Sequence, residues 1–264
     1  TGNEDVVLRL LTAHESLSLD QLKMSPDNLR RFKQLLDKPY GMLLCVGPTG
    51  SGKTTTLHAA LGYLNTPEKK IWTAEDPVEI SQYGLRQVQV NPKIGFDFAA
   101  AMRAFLRADP DIIMIGEIRD RETANISVQA SLTGHLVLST LHSNNAAETV
   151  TRLLEMQMDP FNFADALLGL LAQRLARTIC ANCREQYHPP KEEYEALAHG
   201  YAEDAFAQRN IPYDNAFQLV RGKGCQVCRQ TGYKGRVGIH ELLVATDEIK
   251  SLIHARAPVA ELLS

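Results

Sequence analysis

Gly47-Pro48-Thr49-Gly50-Ser51-Gly52-Lys53-Thr54 fits G-x-x-x-x-G-K-[ST] at every fixed position. Upstream, Tyr40-Gly41-Met42-Leu43-Leu44-Cys45-Val46 reads as a short buried strand; downstream, residues 54–61 read as the opening turns of a helix. Strand, glycine loop and helix in that order make a phosphate cradle. The glycines let backbone N–H groups point inward, and the helix N-terminus adds positive potential. In that cradle Lys53 is expected to reach the β- and γ-phosphates and Thr54 to ligand Mg²⁺, with Thr55 completing the loop's contacts. The chain is therefore read as binding a nucleoside triphosphate with Mg²⁺.

With 264 residues the chain can form one large domain or two modest ones. Lys and Arg number 28 against 31 Asp and Glu, a net charge of −3, so no global basic field advertises nucleic acid. Aromatic content of 6% leaves few platforms on which bases could stack. No apolar run approaches the ~20 residues of a membrane span, and no signal-peptide pattern is present. A first residue Thr1 in place of Met, and an end at Ser264 inside a helical pattern, read as a piece of a longer protein.

Strand-like runs at Met42–Val46, Lys70–Ala74, Ile112–Ile115 and Leu136–Leu141 alternate with helical ones, which predicts a largely parallel sheet covered by helices. Ser25-Pro26-Asp27-Asn28 opens a helix to about Leu36, with Ser at the cap and Pro in the first turn. Residues 96–107 are helical in pattern, with Phe98, Met102, Phe105 and Leu106 on one face, and 163–177 read as a further helix. Asp5–Leu11 is a short apolar segment. At Cys180 the character changes to a cysteine module with a Pro-rich turn and a charged helical insertion. The expected division is 1–37 as the tail of a preceding domain and linker, 38–178 as the nucleotide core, 179–245 as a metal-bearing subdomain and 246–264 as a C-terminal helical region.

Binding needs only the loop; hydrolysis needs acids near it. Asp109-Pro110-Asp111-Ile112-Ile113-Met114-Ile115-Gly116-Glu117 is an apolar strand ending in an acid, with Gly116 where an Asp is usual, so Glu117 supports Mg²⁺ alone, most easily through a water. Glu75-Asp76-Pro77-Val78-Glu79 follows another strand and falls at the sheet edge where α/β ligands bind. One of its carboxylates is expected to orient the attacking water. Thr133–Asn144 is a third strand with His142 at its end, either a γ-phosphate sensor or a hydrogen-bonded structural residue.

Cys180-Ala181-Asn182-Cys183 and Cys225-Gln226-Val227-Cys228 are two C-x-x-C pairs separated by 41 residues. Four thiolates fit tetrahedral Zn²⁺, and cysteine pairs in a nucleotide-binding chain suggest a reducing, cytoplasmic compartment. Two unrelated pairs, a redox site and an iron–sulfur cluster stand as alternatives. Cys45, in the strand before the loop, reads as a small buried residue rather than a ligand.

Taken in order, the phosphate loop, Glu75–Glu79, the run from Phe105 to Asp120, and Thr133–Asn144 resemble the Walker A, Asp box, Walker B and His box of the secretion ATPase superfamily, over about Leu22–Glu241. Gly116 in place of Asp matches that family's habit. The resemblance implies a RecA-like α/β P-loop core with an appended tetracysteine zinc subdomain. It assigns Glu79 as the catalytic glutamate, Glu117 as the Walker B glutamate and His142 as the His-box residue, and places Arg103, Arg107 and Arg119 where the family carries arginines. The tetracysteine module and Thr231–Glu241 resemble the extension and secretion branch. By resemblance the protein is expected to be a homo-hexameric cytoplasmic ATPase. It would act at the inner membrane through a platform protein, in type IV pilus assembly or type II secretion. A nucleic-acid-translocating motor and a nucleotide switch with little turnover are the rival classes.

Overall fold

A computed structural model of the chain describes residues 17–201 and 206–262. The segment Asp5–Leu11, like most of the expected N-terminal tail, lies outside the described residues. Residues up to Leu175, together with those from Gly238 onward, form one compact unit; Ala176–Val237 form a second. The sequence-based division at 178/179 falls within a strand, and that at 245/246 just beyond one.

The first unit is built on a seven-stranded sheet. Its strands are β1 (Gly41–Val46), β2 (Ile71–Glu75), β3 (Arg86–Gln89), β4 (Ile112–Ile115), β5 (Leu136–Leu141), β6 (Leu167–Ile179) and β9 (Tyr233–Val244), in the order β3-β2-β4-β5-β1-β6-β9. β1 pairs in parallel with both β5 and β6, and β4 with both β2 and β5. Along β1 the side chains alternate between two cores. Met42, Leu44 and Val46 face one with Leu141, Phe163 and Leu170, while Leu43 and Cys45 face the other with Phe32, Leu57 and Leu61. A strand buried on both faces is why the sequence there is a continuous apolar run rather than an alternating one.

Helices α1 (Pro26–Leu36) and α2 (Lys53–Leu64) cover one face; α4 (Arg121–Leu132), α5 (Ala146–Glu155) and α6 (Pro160–Ala166) cover the other. α3 (Phe98–Phe105) packs Phe98, Met102 and Phe105 into a third core with Ile113 and Ile115. The predicted start of α1 is present: Pro26 is in the first turn and the Ser25 side chain accepts from the Asn28 N–H. Leu106, expected on the α3 face, begins a single 3₁₀ turn over Leu106–Ala108 and, partly buried, packs against the same core.

The helix expected over 163–177 is corrected. Only Pro160–Ala166 is helical, and Leu167–Ile179 is strand β6. Leucines and alanines favour a helix locally, but pairing with β1 overrides that preference. Gly169 lets neighbours close on that strand: a Cβ there would meet Leu35 Cδ1 at 2.8 Å and the Leu243 carbonyl at 2.9 Å. β3 and β9 carry little strand signal in the sequence, because Arg86-Gln87-Val88-Gln89 is polar and half-exposed and the stretch after Cys228 is rich in glycine and charge.

The second unit contains an antiparallel pair, β7 (Arg184–Tyr187) with β8 (Leu219–Gly222), and α7 (Lys191–Gly200). Tyr194 of α7 packs edge-on against Phe206 and Phe217 and tilted against Tyr213. No helix among the described residues is long and apolar enough to cross a membrane. In the first unit, α8 (Asp247–His254) follows β9 and α9 is Val259–Leu262.

Phe163 is fully buried in the core under α4, α5 and the C-terminal helices. Phe163→Ala is expected to lower the unfolding free energy by about 3–5 kcal/mol, read from denaturant titration.

Candidate active site at the C-terminal edge of the parallel sheet

Register brings the predicted residues to one edge. Val46 pairs with Leu141 and with Ala172, Ile115 with Ser139, and Ala74 with Ile115. The segments that leave these strands, beginning at Gly47, Asp76, Gly116 and His142, therefore emerge side by side, as ligand-binding edges of α/β sheets do.

The phosphate loop is shaped by a residue that motif reading missed. Gln173 of β6 is buried; its Nε2 donates to the Ser51 carbonyl at 2.7 Å and its Oε1 accepts from Thr56 Oγ1 at 2.6 Å. A Cβ on Gly47 (φ +149°) would lie 2.3 Å from the Gln173 carbonyl, and one on Gly52 (φ +88°) 2.8 Å from its Nε2. Two of the motif's glycines are thus demanded by close approach of β6. Gly50 takes its positive φ of +76° in open space. Lys53, at the start of α2, is buried and donates to the carbonyls of Gly47 at 2.8 Å and Pro48 at 3.0 Å. Burial pulls its ammonium below the ordinary lysine range, against the opposing pull of Cys45 and the Glu117 carboxylate. Ser51 Oγ is buried with no partner among the described residues, an orphaned hydroxyl within the loop.

Glu117 follows β4 and is the hub of the polar edge. His142 Nε2, from the end of β5, lies 3.1 Å from its Oε1, and Arg119 Nε donates to its Oε2 at 2.5 Å. Arg119 also reaches Asp76 at 3.5 Å, so one guanidinium ties two of the acid-bearing loops. The structure therefore brings Lys53, Glu117, His142 and Arg119 to one edge. It does not bring Arg103 there: that residue pairs with Glu122 of α4. Arg107 is exposed and, among the described residues, without an ionic partner. At Gly116, where an Asp is usual, a Cβ would fit closely, 3.3 Å from the Ala74 carbonyl and 3.5 Å from the Phe98 ring.

The three acids at and after the end of β2 separate. Asp76 is exposed at the edge and Glu79 is half-buried, but Glu75 ends β2 and turns into the protein. Its Oε2 lies 3.0 Å from His58 Nε2, and its Oε1 accepts from Thr73 Oγ1 at 2.6 Å and Gln87 Nε2 at 3.0 Å. Those bonds commit Glu75 to the interior. Gln82 orients His58 from the other side: its Nε2 donates to the His58 carbonyl, which turns its Oε1 toward Nδ1 at 2.6 Å. Both ring nitrogens face acceptors, the arrangement of an imidazolium. Burial opposes that charge, but the bonds to Glu75 and Gln82 and the carboxylates of Glu75 and Glu79 outweigh it and raise the imidazole above its ordinary value. Burial likewise opposes ionisation of Glu75, and the donors His58, Thr73 and Gln87 hold it below the usual range.

In the second unit the two cysteine pairs converge. All four Sγ atoms lie within 4.8 Å of one another, with neighbouring separations of 4.0, 3.8 and 3.7 Å, and none is in a disulfide. Cys228 Sγ accepts from the N–H groups of Cys225 and Gly232. Burial raises its thiol, but these amides bring it down to about 6. The group can hold a metal ion.

A model of the family described as type II/IV secretion system proteins matches residues 1–263. The chain is 48% identical over 255 residues to the type II secretion system ATPase E of Vibrio cholerae, covering 96% of this chain and 48% of that protein. It is 51% identical over 251 residues to the type IV pilus assembly ATPase PilB of Acinetobacter baylyi, covering 95% and 42%. Its α/β fold matches the pilus retraction motor PilT with bound ADP at a TM-score of 0.64 and 26% identity, over 94% of this chain and 58% of that one. The chain spans about half the length of the curated relatives it matches.

The His58–Glu75 pair gives a pH signature. His58, raised from 6.5, contributes stability that is fully present below that value and lost as pH rises through its folded value. Glu75, lowered from 4.5, contributes above that value and loses its share as pH falls through its folded value. His58→Leu leaves a buried carboxylate unpaired, so it should cost about 3–5 kcal/mol near pH 5.5. The deficit relative to wild type should shrink as pH rises past the folded value of His58, measured by denaturant unfolding across pH.

Proposed function

The chain belongs to the type II/IV secretion system protein family, and on that premise we propose that it is the nucleotide-hydrolysing core of a cytoplasmic motor for type II secretion or type IV pilus assembly. The observation that carries the proposal is the convergence on one sheet edge of a phosphate loop shaped by Gln173, a buried Lys53, and Glu117 held between His142 and Arg119.

Residues 47–55 would wrap the triphosphate of ATP. Lys53 would exchange its two loop carbonyls for phosphate oxygens, which carry full charge and so make the stronger hydrogen bonds. The orphaned Ser51 hydroxyl fits a site that receives an oxygen-rich ligand. Thr54, at the mouth of the cradle, and Glu117 would hold Mg²⁺, which neutralises phosphate charge when bound. Glu79 would orient the attacking water, since the inward turn of Glu75 removes that residue from the task. His142, paired with Glu117, would respond to the γ-phosphate through that carboxylate.

Zinc is the ion proposed for the four cysteines. Support comes from the spacing: a tetrahedron of thiolates at about 2.3 Å from zinc has edges of about 3.8 Å, against 3.7–4.0 Å between the neighbouring sulfurs. An iron–sulfur cluster would need its ligands more widely spread. In the full-length protein the motor is proposed to be a homo-hexamer working at the cytoplasmic face of the inner membrane through a platform protein.

Two measurements test this. In the full-length protein, Lys53→Ala should abolish phosphate release, and Glu79→Gln should retain ATP binding while turnover falls at least about 100-fold. Near-normal turnover by Glu79→Gln would move the water-orienting role elsewhere. Elemental analysis should give about one zinc per chain, and its chelation should loosen the second unit before the nucleotide core. Stoichiometric iron with visible absorption would overturn the zinc assignment.

A further inference from the structure

The segment that carries Glu79 has no regular secondary structure, yet its backbone is tethered along its length. Gln87 of β3 donates from Nε2 to the Ile80 carbonyl at 2.8 Å as well as to Glu75, and its Oε1 accepts from the Gln82 N–H at 2.8 Å. The Val78 N–H points to Gln89 Oε1 at 3.4 Å. Gln82 in turn is bonded to His58, one turn along the helix that begins at Lys53. A continuous chain of hydrogen bonds therefore runs from the phosphate-loop helix through His58, Gln82 and Gln87 to Ile80 on one side of Glu79, and Gln89 separately tethers Val78 on the other.

We propose that Gln87, acting with Gln82 and His58, is a positioning residue that fixes the Glu79 loop in register with the phosphate-loop helix. These side chains do not touch the nucleotide. They set where the Glu79 backbone stands relative to Lys53 and Thr54, and a displacement of about 1 Å in such a group can cost about a hundredfold in rate. Gln87 is suited to this because one amide spends its donors on the buried Glu75 carboxylate and the loop carbonyl while its oxygen receives the loop N–H. No other side-chain type offers two donors and an acceptor at that length.

The proposal rests on Glu79 as the water-orienting residue, and the experiment separates the two ideas. Full-length wild type, Gln87→Met, Glu79→Gln and the double variant are compared by phosphate release, by binding of a fluorescent ATP analogue and by thermal unfolding. Gln87→Met should lower kcat by about 10–100-fold while nucleotide affinity stays within about threefold. The double variant should be no slower than Glu79→Gln alone, because Gln87 acts only through Glu79. If Glu79→Gln turns over normally, the water-orienting reading fails whatever Gln87 does. If Glu79→Gln is inactive while Gln87→Met matches wild type, the positioning proposal alone is overturned. A double variant slower than either single variant, or a Gln87→Met with equally weakened ATP binding, also overturns it. Where Gln87→Met does not fold, Gln82→Met cuts the same chain at the His58 end and should show the same split; misfolding of both assigns the network to stability and ends the proposal.

Discussion

Parallel hydrogen bonding between neighbouring strands is the constraint from which the site follows. Strands that pair in parallel run in the same direction, so β1, β4, β5 and β2 deliver their following residues to one edge whatever those residues are. The phosphate loop, Glu117 and His142 meet because of this ladder. The pairing of β1 with β6 then adds Gln173 from the opposite side. Remove β6 from beside β1 and the loop loses the donor that holds Ser51 and the wall that excludes a side chain from Gly47.

The edge gathers carboxylates, and the structure treats them in two ways. Glu117 stays at the surface, with a side chain only 17% exposed, and is met by an imidazole and a guanidinium. Glu75 is withdrawn and met by three donors, one of them charged. Spreading the acids between a cationic rim and a buried ion pair limits the repulsion a triphosphate would otherwise meet. Arg119 links the two loops that carry Asp76 and Glu117.

The parts legible in the sequence were those fixed by local chemistry. The glycine loop, the strands Ile112–Ile115 and Leu136–Leu141, and the Ser25 cap each depend on residues adjacent in the chain. The leucines and alanines of β6 favour a helix in the sequence, and only the partner strand decides otherwise. Gln173 could have been noticed as the single polar residue interrupting the run from Leu167 to Leu175 before Arg174, and His58 as a titratable group set within the apolar stretch Leu57–Leu61. The Gln87–Gln89 alternation was a period-2 signal too short and too polar to weigh. Glu75 was grouped with Asp76 and Glu79 because they are consecutive acids; that one of them faces inward follows from strand β2 ending at Glu75 rather than at Ala74.

The grip of Gln173 on the phosphate loop bears on the entropy of ligand capture. A loose loop must give up about 1–2 kcal/mol of backbone freedom for each residue it orders around a ligand. Here the Ser51 carbonyl is bound, Gly47 and Gly52 lie against Gln173, and Lys53 is anchored on two carbonyls. Most of that ordering is accomplished during folding. Capture of a phosphate chain then becomes chiefly an exchange of partners at the Lys53 ammonium, an event governed by charge and desolvation rather than by chain disorder.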